Sequence, residues 1–73
     1  MSYVEDLKPG AHVAWNTSRG KTKGRVLRKA TCRIAIEGFE LAASPHDPAY
    51  IVKSDKSGKL AAHKRKALRL LPN

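Results

Sequence analysis

The sequence predicts an all-β fold, a single small domain built as a closed or nearly closed barrel of five or so short strands. The chain has 73 residues, which is the size of one small domain. Short apolar alternations recur along it and are separated by turn-forming residues, with no linker, low-complexity segment or internal repeat. Closure into a barrel removes the exposed strand edges. An open β-meander with a C-terminal helix and a usually longer OB-type barrel remain as alternatives.

The first two strands are predicted at residues 11–15 and 23–30, where large apolar side chains occupy every second position or a short central pair. A Lys-Pro-Gly turn at residues 8–10 precedes the first strand. The connecting loop is predicted over residues 16–22, with Gly20 at a positive φ.

The third strand is predicted from about residue 32 to residue 43, with a bend at Gly38. The apolar residues change parity there, from Cys32, Ile34 and Ile36 before the glycine to Phe39, Leu41 and Ala43 after it. A change of parity at a glycine indicates a β-bulge or a sharp bend. A small barrel needs such a bend, because one strand must pass from one half of the sheet to the other.

The C-terminal third of the chain predicts two more strands, at residues 49–53 and 60–63, joined by a hairpin turn at residues 54–58. A loop with two prolines, residues 44–48, precedes them. Residues 64–71 could form one helical or 3₁₀ turn followed by a last short strand, and the sequence does not decide between these forms. The domain is expected to span residues 1–73.

Three segments of the chain resemble the hypervirulence-associated protein Tudor domain family, whose pattern begins with G-x-x-V-x-W-N and G-x-x-x-G-x-V. A longer segment, A-S-x-x-x-P-x-Y-x-V-K-S-D-K-(S/T)-G-K-x-A-A-H-K, follows these. The matching positions are Gly10, Val13, Trp15, Asn16, Gly20, Gly24, Val26, Ala43, Ser44, Pro48, Tyr50, Val52, Lys53, Ser54, Asp55, Gly58, Lys59, Ala61, Ala62, His63 and Lys64. The resemblance implies a small Tudor or SH3-like barrel and no particular ligand.

Charge is the strongest compositional signal, since 15 Lys and Arg face six Asp and Glu for a formal net charge of +9. Such a field attracts polyanions, and nucleic acid (DNA or RNA) or an acidic protein is the expected partner. A face of alternating cations is predicted to neutralise phosphates, with a second cluster near the C-terminus: Arg19, Lys21, Lys23, Arg25 and Arg28, then Lys64, Arg65 and Lys66. The alternative is a solvated surface that only keeps the protein soluble. A monomer is favoured.

Three of the few aromatic residues, Trp15, Phe39 and Tyr50, could converge as a cage for a methylated side chain or stack on an unpaired base if exposed. The alternative is core packing, because rings dominate the buried area of a small domain. A cage also faces an electrostatic objection, since methyl-lysine peptides are usually cationic and a strongly basic domain repels them.

Catalytic and metal chemistry finds no adequate motif, and no cofactor is expected. The segment SRGKTKG, residues 18–24, leads into a strand, whereas a P-loop leads into a helix. Ser44, His46 and Asp47 lie too close together in one loop to form a triad. His12, His46, His63 and Cys32 lack the spacing of metal ligands, and Cys32 falls on the predicted apolar face. His63 is expected to hydrogen-bond the Ser54-Asp55 turn.

Location is predicted from what the chain lacks. The single cysteine cannot form an intrachain disulfide, and Glu5 and Asp6 interrupt any signal-like N-terminal segment. The apolar stretches are far shorter than the ~20 residues that span a membrane. A soluble cytoplasmic protein is expected.

Overall fold

The computed structural model describes residues 7–36 and 38–72, which form short strands and one 3₁₀ turn. In chain order these are β1 (His12–Thr17), β2 (Gly20–Ala30), β3 (Ile34–Ile36), β4 (Phe39–Leu41), β5 (Ala49–Ser54), β6 (Leu60–Lys64), the 3₁₀ turn (Arg65–Ala67) and β7 (Arg69–Leu70). The prediction of an all-β fold is confirmed, and the C-terminal segment takes the 3₁₀ form of the two turns considered, followed by a short strand.

Five of the strands form one antiparallel sheet in the order β6-β5-β2-β1-β7, which is the sheet of a small barrel. The hairpins β1–β2 and β5–β6 are joined by the pairing of β2 with β5, and the 3₁₀ turn brings the chain back so that β7 pairs with β1. The predicted strand number is therefore confirmed, but one member of the set differs.

The predicted third strand is not part of this sheet. β3 and β4 instead form a separate two-stranded hairpin, with Ile34 paired to Leu41 and with Gly38 at a φ of 80° in the turn. Ile34 and Leu41 are register partners, so their side chains share one face of the hairpin. Because they lie an odd number of residues apart, the apolar residues occupy even-numbered positions before the turn and odd-numbered positions after it. The prediction of a bulge or bend within one strand is wrong here, because a hairpin turn produces the same sequence pattern.

The connection between β1 and β2 is shorter than predicted. β1 extends to Thr17 and β2 begins at Gly20, which leaves only Ser18 and Arg19 in the turn. The Thr17 hydroxyl donates to the Gly20 carbonyl at 2.8 Å and accepts from the Arg19 N–H at 3.1 Å. Gly20 has a φ of 114°, so the predicted positive φ is confirmed.

A β-bulge does occur, but it lies in β2 at Leu27. Val26 pairs with Val52, and the next pair is Arg28 with Ile51, so Leu27 has no partner of its own. Its side chain is 44% exposed, whereas Val26 before it is buried. The bulge shifts the alternation by one residue, so each residue of β2 after Leu27 lies on the face opposite to the one that uninterrupted alternation predicts.

Two apolar clusters lie on opposite faces of the sheet. The inner cluster fills the barrel and contains Leu7, Val13, Trp15, Val26, Tyr50, Val52 and Leu68. The outer cluster lies beneath the β3–β4 hairpin and contains Ala30, Ile34, Ala49, Ile51 and Ala62. β5 contributes to both, because Tyr50 and Val52 point into the barrel while Ala49 and Ile51 point outward.

Gly24 allows the paired strands β2 and β5 to approach each other closely. A Cβ atom added to Gly24 would lie 1.9 Å from the Lys53 carbonyl oxygen, far inside contact distance. This position therefore requires glycine because of space and not because of backbone conformation.

Candidate functional site

The outer face of the sheet carries a row of cationic side chains beside the β3–β4 hairpin. On β2, Lys21, Lys23 and Arg25 are exposed, while Thr22, Gly24 and Val26 between them face the interior. The three cations thus share a face, as their alternation predicts. Strand pairing adds further cations to this surface, which we call the cationic face: Lys21, Lys23, Arg25, Arg28, Lys53 and Arg69.

Two members of the cationic face come from other strands and escaped sequence reasoning. Lys53 of β5 pairs directly with Arg25, and Arg69 of β7 pairs with Ala14, the register partner of Lys23. Both are exposed. In the sequence, each of these cations lies between two inward-facing or apolar residues, a pattern that indicates an exposed side chain. Only the strand register shows that both adjoin the β2 cations.

The bulge at Leu27 places Arg28 on the cationic face. Arg28 pairs with Ile51, whose side chain belongs to the outer cluster, and register partners share a face. Without the extra residue, Lys29 would occupy that side of the sheet. Lys29 instead pairs with Tyr50, which faces the opposite way.

The cations of this face lie close enough to repel one another. Directly paired side chains on antiparallel strands have Cβ atoms about 4.5–5.5 Å apart, and like charges in such a pair are destabilising. Arg25 and Lys53 form this kind of pair. The Arg25 guanidinium donates to the Gly10 carbonyl at 3.2 Å, which uses only part of its donor capacity.

The carboxylate of Asp55 lies among the cations of this face and is held by His12, because this contact crosses β2 from the β5–β6 turn to β1. The His12 Nε2 and Asp55 Oδ2 atoms are 3.1 Å apart. The Asp55 N–H also donates to the Lys23 carbonyl at 2.9 Å, which fixes the start of the β5–β6 turn against β2. Asp55 therefore has its own partner and does not form a described ion pair with the cationic face.

Arg19 and the C-terminal basic cluster adjoin the cationic face, since Arg19 lines one pocket with Lys21, and Arg65 and Lys66 line another with Lys21 and Arg69. Arg19 is exposed in the β1–β2 turn. Lys64, the last residue of β6, forms an ion pair with Asp47, and the Arg65 guanidinium donates to the Leu68 carbonyl at 2.8 Å. Lys66 is exposed on the 3₁₀ turn. The cluster that is continuous in sequence is thus partly engaged within the protein.

The aromatic rings of Trp15 and Tyr50 lie in the inner cluster. Trp15 is 5% exposed and Tyr50 0%, and the Leu7 N–H donates to the Tyr50 hydroxyl at 3.4 Å. The condition for stacking or for a cage, that these rings be exposed, is not met, and the core interpretation is confirmed for both. The Phe39 side chain lies outside the described part of the structure.

His63 packs against Trp15 and not against the turn at Ser54 and Asp55. The two ring centroids are 5.7 Å apart at an interplanar angle of 41°. Desolvation by burial lowers the pKa of His63 below its usual value of 6.5. The expected hydrogen bond to the turn is made by His12, which corrects the prediction, because β1 and not β6 presents a histidine to Asp55.

The residues considered for catalysis or metal binding have other surroundings. Cys32 is exposed, which corrects its predicted place on an apolar face, because it precedes β3 in a loop. The Ser44 hydroxyl accepts from the Asp47 N–H at 3.1 Å and so closes the loop. Across residues 7–36 and 38–72, His, Cys, Asp and Glu form no group of three that could hold a metal ion. Over the same residues, no helix has the length and apolarity to cross a membrane.

Comparison with known proteins gives one match. A family model described as the Tudor domain of hypervirulence-associated proteins matches residues 10–68, which is most of the chain. Neither the curated proteins nor the solved structures gave a match. The matched segment runs from the turn before β1 to the residue before β7, so it contains most of the barrel and the β3–β4 hairpin.

Proposed function

The chain belongs to the hypervirulence-associated protein Tudor domain family, and on that premise we propose that it is a non-catalytic module that binds nucleic acid through its cationic face. Tudor domains are small binding modules and are generally not enzymes, which supports a binding role for this chain.

The observation that carries the proposal is the register of β2 with β5 and of β1 with β7. It collects cations from three strands on one exposed face, and Arg25 and Lys53 are direct neighbours there. Repulsion between these cations is relieved when a polyanion supplies the countercharge. A nucleic-acid backbone offers phosphates at regular short spacing and therefore suits a row of cations on adjacent strands.

The chemistry of the face favours backbone contacts over base reading. Lysine and arginine side chains contact phosphates without reading sequence, and their binding is strongly salt-dependent. Because Trp15 and Tyr50 are buried, base stacking by these rings adds nothing to the binding. Arg28 extends the face along β2 and Arg69 extends it sideways to β7. Lys66, which lines a pocket with Lys21 and Arg69, offers a second contact beside the face.

The test compares labelled single- and double-stranded DNA and RNA with 5′-hydroxyl ends by fluorescence anisotropy over a series of salt concentrations. The variant Lys53→Gln removes a cation from the face, whereas Lys8→Gln removes one from the turn before β1. We expect Lys53→Gln to weaken binding to all sequences alike and to reduce the slope of log K against log salt by about 1.

The matched control is Lys8→Gln, which lowers the net charge equally but removes no phosphate contact, so its slope should equal that of the unmodified protein. Equal effects of the two variants would mean that only net charge matters. Absence of binding at low salt would overturn the proposal and turn attention to acidic proteins.

A further inference from the structure

A groove between two hairpin turns carries a second concentration of positive charge. It lies between the β1–β2 turn and the β5–β6 turn and has a volume of about 520 Å³. Its basic lining residues are Arg19, Lys21, Lys56 and Lys59, and no Asp or Glu is among its described lining residues. Of these, only Lys21 also belongs to the cationic face.

Asp55 is adjacent in sequence to the groove residues Ser54 and Lys56, but its carboxylate contacts His12 on the outer face of the sheet. The described ion pairs of the chain, His12 with Asp55 and Lys64 with Asp47, involve none of the cations of this groove. Four cations therefore line one groove without a described acidic partner there.

The hydroxyl groups of the groove add hydrogen-bond donors. The Ser57 hydroxyl accepts from the Lys59 N–H at 3.2 Å, which leaves its own O–H hydrogen able to donate. Thr22 Oγ1 and Ser54 Oγ are 3.4 Å apart, and only one of these two hydroxyls can donate to the other. The remaining donor of this pair, together with Ser57, lies beside the lysines.

We propose that this hairpin groove binds a phosphomonoester group, on a small molecule such as a mononucleotide or at the end of a nucleic-acid strand. At neutral pH such a group carries about −1.5 to −2 charges and three strong acceptor oxygens. Lysine supplies compact point charges, and arginine supplies a planar fork of donors that matches phosphate oxygens. A phosphodiester carries a single charge and suits the open cationic face better.

The apolar part of the groove provides the means to detect binding. Trp15, Leu60 and Ala61 also line it, and Trp15 is the only tryptophan of the chain. A ligand in the groove should therefore change Trp15 emission. Arg19, Lys56 and Lys59 lie outside the cationic face, so this proposal can fail or hold independently of the proposed function.

The experiment titrates the full chain with 5′-AMP and with adenosine while following Trp15 emission and amide chemical shifts of residues 18–22 and 54–60. We expect 5′-AMP to bind and adenosine, which lacks the phosphate, to bind at least about tenfold more weakly. Lys59→Gln and Lys56→Gln should each weaken 5′-AMP binding about tenfold, whereas Lys8→Gln should leave it unchanged. All three lysines are exposed, so folding is not at risk.

A second arm compares 5′-phosphorylated with 5′-hydroxyl oligonucleotides of the same sequence. A preference for the phosphorylated end that Lys59→Gln abolishes supports a strand terminus as the source of the group. Binding of 5′-AMP without that preference supports a small molecule. The proposal is overturned if adenosine binds as well as 5′-AMP, if 5′-AMP does not bind, or if Lys8→Gln weakens binding as much as Lys59→Gln.

Discussion

At the scale of one residue, His63 makes the stability of the folded protein depend on pH. Its ring packs on Trp15, and burial disfavours its charged form, so its pKa is lower in the folded state than in the unfolded chain. The unfolded state therefore binds a proton at a higher pH than the folded state does. The stability that neutral His63 contributes is fully present above pH ~6.5 and is lost as pH falls through the lowered pKa.

The corresponding prediction is that acidification from neutral pH lowers the free energy of unfolding, and that His63→Gln removes part of this dependence. Glutamine has a similar size and does not titrate, so the acid-induced loss due to this site should disappear. Urea unfolding followed by circular dichroism between neutral and mildly acidic pH measures it. An identical pH dependence in the variant would show that His63 does not contribute.

Residue-level reasoning from the sequence succeeded for Trp15 and Tyr50, for which core packing was the alternative considered, and failed for Cys32. In a chain with so few aromatic residues, burying Trp15 and Tyr50 contributes much of the available apolar area, so a core location follows from composition. Cys32 had the parity of the Ile34 side. It lies before the strand begins, however, and parity has no meaning outside a strand.

At the scale of one element, the close pairing of β2 with β5 depends on Gly24. Because a Cβ there would meet the Lys53 carbonyl at 1.9 Å, Gly24→Ala must push the two strands apart. We expect a loss of about 1–3 kcal/mol, as is typical of overpacking in a well-packed interior. Chemical denaturation followed by circular dichroism measures this loss.

The matched control for Gly24→Ala is Gly58→Ala in the β5–β6 turn. Gly58 has a φ of 73°, and a Cβ there would lie 3.9 Å from the Lys53 Cε, which is an ordinary contact. Its cost comes from backbone conformation alone and should be about 1–2 kcal/mol. If Gly24→Ala changes the distance between β2 and β5, its amide shifts should move on both strands, whereas those of Gly58→Ala should remain local to the turn. Unchanged shifts on β5 in Gly24→Ala would contradict the steric argument.

Most strands and turns could be predicted from the sequence, but the β3–β4 hairpin and the bulge in β2 could not. Alternation and turn residues located β5, β6 and the turn between them, because each signal there has a single interpretation. The parity change at Gly38 fits both a bulge and a hairpin, and only tertiary contacts favour the hairpin. The bulge at Leu27 has no glycine or proline to mark it.

Across the whole molecule, unbalanced charge opposes folding. The formal net charge is +9 on a molecule of 34 × 31 × 20 Å. At 0.01 M salt the Debye length is about 30 Å, so charges on opposite sides of the molecule still interact, whereas at 0.15 M it is about 8 Å.

We therefore predict that raising sodium chloride from about 0.01 M to about 0.15 M increases the melting temperature. A gain of about 1 kcal/mol corresponds to about 4–8 °C for a domain of this size. Thermal unfolding in a chloride series measures the gain, and phosphate at equal ionic strength should raise the temperature further if the hairpin groove binds it. A melting temperature that is constant or falls with chloride would contradict the prediction.

The cationic face could be predicted only in part, because it is a property of the assembled sheet. Alternation along β2 identified Lys21, Lys23 and Arg25 as a set. Lys53 and Arg69 join them through pairings that depend on strand order and register, for which a single sequence contains little signal. Conversely, Lys64 and Arg65 looked like a surface cluster but have partners within the fold.

Along β5, adjacent residues of one backbone belong alternately to the two cores of this protein. Tyr50 and Val52 anchor it in the barrel, and Ala49 and Ile51 anchor it beneath the β3–β4 hairpin. Displacing β5 from the barrel would therefore also remove the surface on which the hairpin packs. The two clusters are thus thermodynamically coupled, and a thin barrel and a small hairpin behave as a single cooperative unit that is more stable than either would be alone.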